Sequence, residues 1–129
     1  MKRKMQIKQI KTPNAPAAPG LLSQAIESNG LVITSGEIHL TPDGKLIVGS
    51  MTEKTHQVMK NLFEILQAAD VTFAQVMKAT VYITDMSEYG EFNEVYKTYF
   101  TDPFPAREVV CVNELPLGAS LEISMIAMK

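Results

Sequence analysis

The chain has 129 residues, of which 46% are hydrophobic and 20% charged, and its net charge is −2. That suits one domain with a proper core and excludes a disordered chain. The charge balance gives no reason to expect nucleic acid as an electrostatic partner.

Five of the 12 basic residues fall in the first 11 positions: Lys2, Arg3, Lys4, Lys8 and Lys11. They read as a solvated N-terminus. Gln6, Lys8, Gln9 and Lys11 interrupt any apolar stretch of signal-peptide length, and no run approaches the ~18 apolar residues of a membrane span. The single cysteine, Cys111, permits no internal disulfide. A reducing, cytoplasmic location is the expectation.

Residues 12–20, TPNAPAAPG, carry three prolines and a glycine and read as an extended loop. LLSQAIES at 21–28 and GLVITSG at 30–36 read as two strands joined at Asn29-Gly30, a strong hairpin signal. TPDGK at 41–45 is a further turn. A helix is predicted over 51–69, where Val58, Leu62, Ile65, Leu66 and Ala69 recur at helical spacing behind a Ser50/Glu53 capping box. KATVYIT at 78–84 alternates and is β-branched, so it reads as a strand.

Tyr89, Phe92, Tyr96, Tyr99 and Phe100 form an aromatic stripe on a second helix that ends before Pro103. REVVCV at 107–112 and SLEISMIAM at 120–128 supply the last two strands. The order implies one α+β domain with helices on one face of a sheet. Val109 and Cys111 on one alternation, against Val110 and Val112 on the other, imply that the second face is also covered. A partner subunit is the natural cover for a chain this short.

Arg107 stands at the mouth of an apolar strand, and an unpaired buried charge is costly. Two readings stay open: an internal ion pair, with Glu108 or Glu122, or a carboxylate that arrives from outside and meets the planar guanidinium fork. Glu122 is either a solvent-facing strand position or a carboxylate at a site edge that orients a water. Sequence leaves open whether Arg107 and Glu122 share a face, since a one-residue slip of a hairpin between their strands would separate them. Ser35-Gly36 either lets a ligand approach the backbone or makes a simple bulge. Glu37, His39 and His56 lack tight ligand spacing, so no metal is expected. Cys111 reads as a small buried hydrophobe.

Several segments together resemble the RidA (YjgF) family: NAPAAPG at 14–20, ITSGEI at 33–38, THQVMKNLFEIL at 55–66, VMKATVYITDM at 76–86, FNEVYKTYF at 92–100, FPAREVV at 104–110 and LPLGASLEISMIA at 115–127. The resemblance implies one domain over residues 1–129 with the chorismate-mutase-like α+β fold, a six-stranded mixed sheet with two helices on one face. It implies a homotrimer with ligand clefts between subunits.

The implied reaction is hydrolysis of reactive 2-imino and enamine acids, such as 2-iminobutanoate and 2-iminopropanoate, to 2-oxo acids and ammonia. No cofactor is implied, because the imine carbon is already electrophilic. Arg107 would grip the substrate carboxylate and Glu122 would hold the attacking water. N–H groups at Ser35 and Gly36 would contact the substrate, with Asn93 and Val109 bordering the cleft. Two departures stand out: Leu22 where most deaminating members have tyrosine, and Val109 where many have cysteine. Leu22 favours an alternative, a ligand-binding regulatory protein without fast turnover. A third reading, an endoribonuclease, sits poorly with the negative charge and the lack of a basic stripe.

Overall fold

The computed structural model describes residues 6–129, so Lys2, Arg3 and Lys4 lie outside the described residues. Seven strands and two helices follow the order β1 (Lys8–Ile10), β2 (Ala25–Ser28), β3 (Leu31–Thr34), β4 (Glu37–Ile38), α1 (Met51–Ala68), β5 (Val76–Ile83), α2 (Tyr89–Tyr96), β6 (Ala106–Cys111) and β7 (Leu121–Met128). One mixed sheet runs β1-β2-β3-β7-β5-β6, with β4 also on β7. Among the described residues only β5 and β6 are parallel. The sheet is therefore six strands wide, and the two-residue β4 takes up the path of β3 along β7.

Local chemistry explains most of this. Asn29 and Gly30 have φ of 51° and 82°, the paired left-handed residues of a tight hairpin turn, and they join β2 to β3. Ser50 caps α1: its side chain accepts from the Glu53 N–H while Glu53 reaches back to the Ser50 N–H. α1 buries Val58, Leu62, Ile65 and Leu66 completely against the sheet, each such side chain contributing roughly 1.5–3 kcal/mol. On the sheet, Ala79, Val81 and Ile83 of β5 face the helices beside Met125, Ile123 and Leu121 of β7.

Two expectations change and one open question closes. Lys8–Ile10 is a strand, not a solvated terminus: it pairs with β2 and buries Ile10 in the core. The second helix is shorter than its stripe, because α2 ends at Tyr96 and a 3-10 turn carries Lys97–Tyr99. Finally, β6 and β7 do not form a hairpin, since β5 lies between them.

Among the described residues nothing forms a second layer over the face opposite the helices. Ile33, Val110 and Met128 stand 46%, 41% and 41% exposed there. Large apolar side chains gathered on one face call for a covering surface.

Candidate active site

Between β3 and β4 the ladder gains one residue. Ile33 pairs with Ile126 and Glu37 with Ile123, so the segment 34–36 holds a surplus residue over its partner. The bulge reverses parity: Val32 and Thr34 are buried before it, Glu37 and His39 after it. It also brings the backbone of Gly36 against Glu122. A Cβ at position 36 would lie 2.6 Å from Glu122 Oε2 and 2.7 Å from Cδ. The glycine is what gives the carboxylate its place.

Glu122 lines a cavity of about 480 Å³ together with Leu22, Ser35, Gly36, Glu37 and Leu117. Burial pushes the Glu122 carboxyl above its ordinary range. Glu37 is buried and is pushed up to about 8, by burial first and the Glu122 carboxylate second. At neutral pH Glu37 is therefore an uncharged carboxylic acid beside Glu122. The Ser35 N–H donates to the Gln24 carbonyl at 2.9 Å, and its hydroxyl donates to the Ser23 carbonyl at 2.6 Å. Both donors of Ser35 are thus committed, contrary to the expectation that its N–H contacts a ligand. Its hydroxyl oxygen keeps lone pairs as an acceptor.

Arg107 lies elsewhere. It pairs with Ala79, whose side chain is buried under the helices, whereas Glu122 pairs with Tyr82 and Ile38 on the opposite face. Within one chain Arg107 and Glu122 are on opposite faces of the sheet. Glu108, the other suspected partner, is bound to Lys78 at 2.6 Å. Among the described residues Arg107 has no carboxylate partner. Instead its Nη2 donates to the Tyr89 hydroxyl at 3.0 Å, and its guanidinium lies 4.8 Å from the ring centre of Tyr96 and 5.6 Å from that of Phe92. Aromatic faces hold a cation without neutralising it.

A second cavity, about 250 Å³, is lined by Asn93, Tyr96, Lys97, Phe104, Pro105 and Arg107. Beneath it Asn93 Oδ1 and the Tyr96 hydroxyl, on two of the lining residues, are buried without hydrogen-bond partners. Burial pushes the Tyr96 phenol up to about 12 against the opposing Arg107 charge, so it stays protonated. Buried polar atoms left unpaired are costly and mark a place where something else binds.

The sequence-predicted residues thus separate into two groups. Leu22, Ser35, Gly36 and Glu122 come together, and Arg107 and Asn93 come together, with Val109 two residues along β6 on the Arg107 side. Sequence reasoning missed Glu37, Tyr89, Tyr96 and Leu117. For the tyrosines a signal existed, since tyrosine rather than phenylalanine in a core stripe implies a hydroxyl that needs a partner.

His39 and His56 do not join a shared site. His39 accepts from the Ser120 N–H at Nε2 and faces the Ile47 carbonyl with Nδ1, so Nδ1 carries its proton. His56 contacts the Tyr99 hydroxyl. Among the described residues no three His, Cys, Asp or Glu side chains gather as metal ligands. Cys111 is exposed at the end of edge strand β6, not buried as expected, because no strand flanks β6 on that side. Among the described residues no helix is long and apolar enough to cross a membrane.

Comparison with known proteins agrees with this architecture. The chain belongs to the RidA family, whose family model, described as Endoribonuclease L-PSP, matches residues 12–129. A 2-iminobutanoate/2-iminopropanoate deaminase of Mus musculus is 44% identical over 123 residues, covering 95% of this chain and 91% of the relative. The crystal structure of yeast Mmf1 superposes with a TM-score of 0.93 at 38% identity, covering 96% of this chain and 99% of that one. That of E. coli TdcF with bound serine superposes with a TM-score of 0.89 at 34% identity, covering 95% and 98%. The family thus includes proteins named for imine deamination and one seen with a small amino acid bound.

Proposed function

We propose that this protein hydrolyses 2-imino and enamine acids to 2-oxo acids and ammonia, in clefts formed where copies meet in a homotrimer. The observation that carries the reading is the division of the site. Among the described residues Arg107 is a cation without a carboxylate and Glu122 a carboxylate without a cation, on opposite faces of one sheet. A neighbouring copy laid on the exposed apolar face would bring one half-site to the other. The names of the relatives support the reaction class, and the serine-bound neighbour supports a small ligand that carries a carboxylate.

In this reading the guanidinium of Arg107 grips the substrate carboxylate as a fork. The Tyr89 hydroxyl fixes the guanidinium's direction, and Asn93 Oδ1 finds its missing donor in the bound imine or its enamine form. Glu122 of the other copy accepts a proton from the water as the oxygen attacks the imine carbon. The nitrogen takes up a proton, the carbinolamine C–N bond breaks, and ammonia leaves as the C=O of the 2-oxo acid forms. Ser35 offers its oxygen to the imine N–H. Raised basicity suits Glu122 to this task, because a base works best with a pKa nearer the operating pH. The protein's part is placement: proximity and orientation of an electrophile that needs no further activation.

Subunit mixing tests both halves at once. Arg107→Ala and Glu122→Gln should each lack activity alone, measured as suppression of semicarbazide trapping of imine made by a threonine dehydratase. Refolded together in equal amounts, they should regain about a quarter of wild-type activity, because random assembly restores an intact Arg107–Glu122 pair at one cleft in four. No recovery in mixed oligomers confirmed by mass would place both residues of each site in one chain and overturn the shared cleft.

A further inference from the structure

The larger cavity has a wall that the hydrolysis does not use. Beyond Ser35, Gly36 and the carboxyls of Glu37 and Glu122 it is lined by Leu21, Leu22, Ile38, Leu40 and Leu117, apart from small residues and prolines. Leu21, Leu22 and Leu117 are 82%, 47% and 71% exposed, so three large apolar side chains face solvent around one opening. Leu117 is further held at φ 60°, a conformation that a leucine rarely adopts. Backbone strain of this kind persists where the surroundings enforce it and clusters at ligand sites.

Leu22 has no hydroxyl to offer, and Leu117 no charge. The volume, about 480 Å³, lies within the ~300–1,000 Å³ of small-molecule clefts. The reacting carbon must sit near Glu122, with its carboxylate turned to Arg107. Of the cavity's lining, the leucines are what offers an apolar contact to the remaining substituent.

We infer that Leu21, Leu22 and Leu117 form a subsite for the side chain of the substrate, and that this protein selects 2-imino acids with long or branched aliphatic chains over three-carbon ones. The inference rests on the deaminase reading and names its substrate class. Transfer of an aliphatic chain from water to a leucine-lined wall is favourable roughly in proportion to the area buried. A small methyl substituent would leave the leucines largely wet.

Stable 2-oxo acids separate selectivity from turnover. Isothermal titration with 4-methyl-2-oxopentanoate and with pyruvate should show the longer acid binding at least about tenfold tighter to the wild-type protein. Leu22→Ala and Leu117→Gly should each reduce that ratio several-fold. Glycine at 117 suits the positive φ, so the second variant removes the side chain without added strain. Equal binding of the two acids, or an unchanged ratio in both variants, overturns the subsite. A changed oligomer mass with an unchanged ratio also overturns it and assigns the leucines to the subunit contact. Turnover of the imines made from leucine and alanine by an amino-acid oxidase is measured in parallel. Loss of the deaminase reading would show as no turnover of either imine, and loss of the subsite alone as similar turnover of both.

Discussion

The two half-sites of this chain are built in opposite ways. The Arg107 half rests on aromatic rings of α2, with one hydrogen bond donated to the Tyr89 hydroxyl and two buried polar atoms left without partners. The Glu122 half rests on a bulge in the backbone, with an empty Cβ position at Gly36 and a second, uncharged carboxyl at Glu37. One half keeps a charge active by withholding a counter-ion. The other raises the basicity of a carboxylate by partial burial against a backbone that leaves no room for a side chain. The contrast teaches that positioning in the first half is done by side chains and in the second by the main chain.

Substitutions can break that contrast at separate points. The largest effect is expected from Glu122→Gln, which keeps shape but cannot accept a proton. Its deaminase rate should fall by roughly 10²–10⁴-fold, while titration shows 2-oxobutanoate still bound. Arg107→Ala should lose activity through binding instead, weakening 2-oxobutanoate by more than about tenfold, because a charge-assisted contact contributes roughly 1.5–3 kcal/mol. Matching losses of affinity in both variants would erase the distinction between a gripping half and a reacting half.

Gly36→Ala sharpens the claim about the main chain. The added methyl group meets the flexible end of Glu122, so the carboxylate moves and the fold stays. We expect about 10²-fold less turnover, as for a displacement of about 1 Å, with a melting temperature within about 4 °C of wild type. Full activity in this variant would remove the glycine from the site.

The smallest effect on the reaction, and a clear one on stability, is expected at Glu37. Its folded pKa is raised from 4.5 to about 8, so the native protein holds a proton that the unfolded chain releases. Stability contributed by the protonated group is therefore complete below pH 4.5 and is lost as pH rises toward 8. Glu37→Gln should match wild type in urea unfolding near pH 4. It should exceed wild type increasingly up to pH 8, by roughly 4–5 kcal/mol at most. A constant difference across that range would mean that Glu37 does not titrate in it.

Much of the frame was legible because its signals are local. Asn29-Gly30 fixed one hairpin, Ser50 and Glu53 fixed the start of α1, and alternation marked β5 and β7. β1 was hidden because lysine and glutamine outnumber its one core residue, Ile10. The relation of Arg107 to Glu122 was hidden for a different reason. It depends on β5 entering between β6 and β7, a non-local pairing that no stretch of either strand encodes. The two positions could be named from the family resemblance, but not the fact that one chain cannot unite them. Glu37 was read with His39 and His56 as a weak metal motif, because a buried neutral acid looks the same in sequence as a ligand.

The surplus residue between Thr34 and Gly36 has one more implication, for what a change of chain length would cost there. On its N-terminal side even-numbered residues face the helices, and on its C-terminal side odd-numbered ones do. Chain length there carries information that residue identity does not. Deleting one residue there would remove the surplus and leave Glu37 opposite Ile123, still facing the helices, while taking away the bulge that brings Gly36 against Glu122, so the core would keep its pattern and the carboxylate would lose its seat.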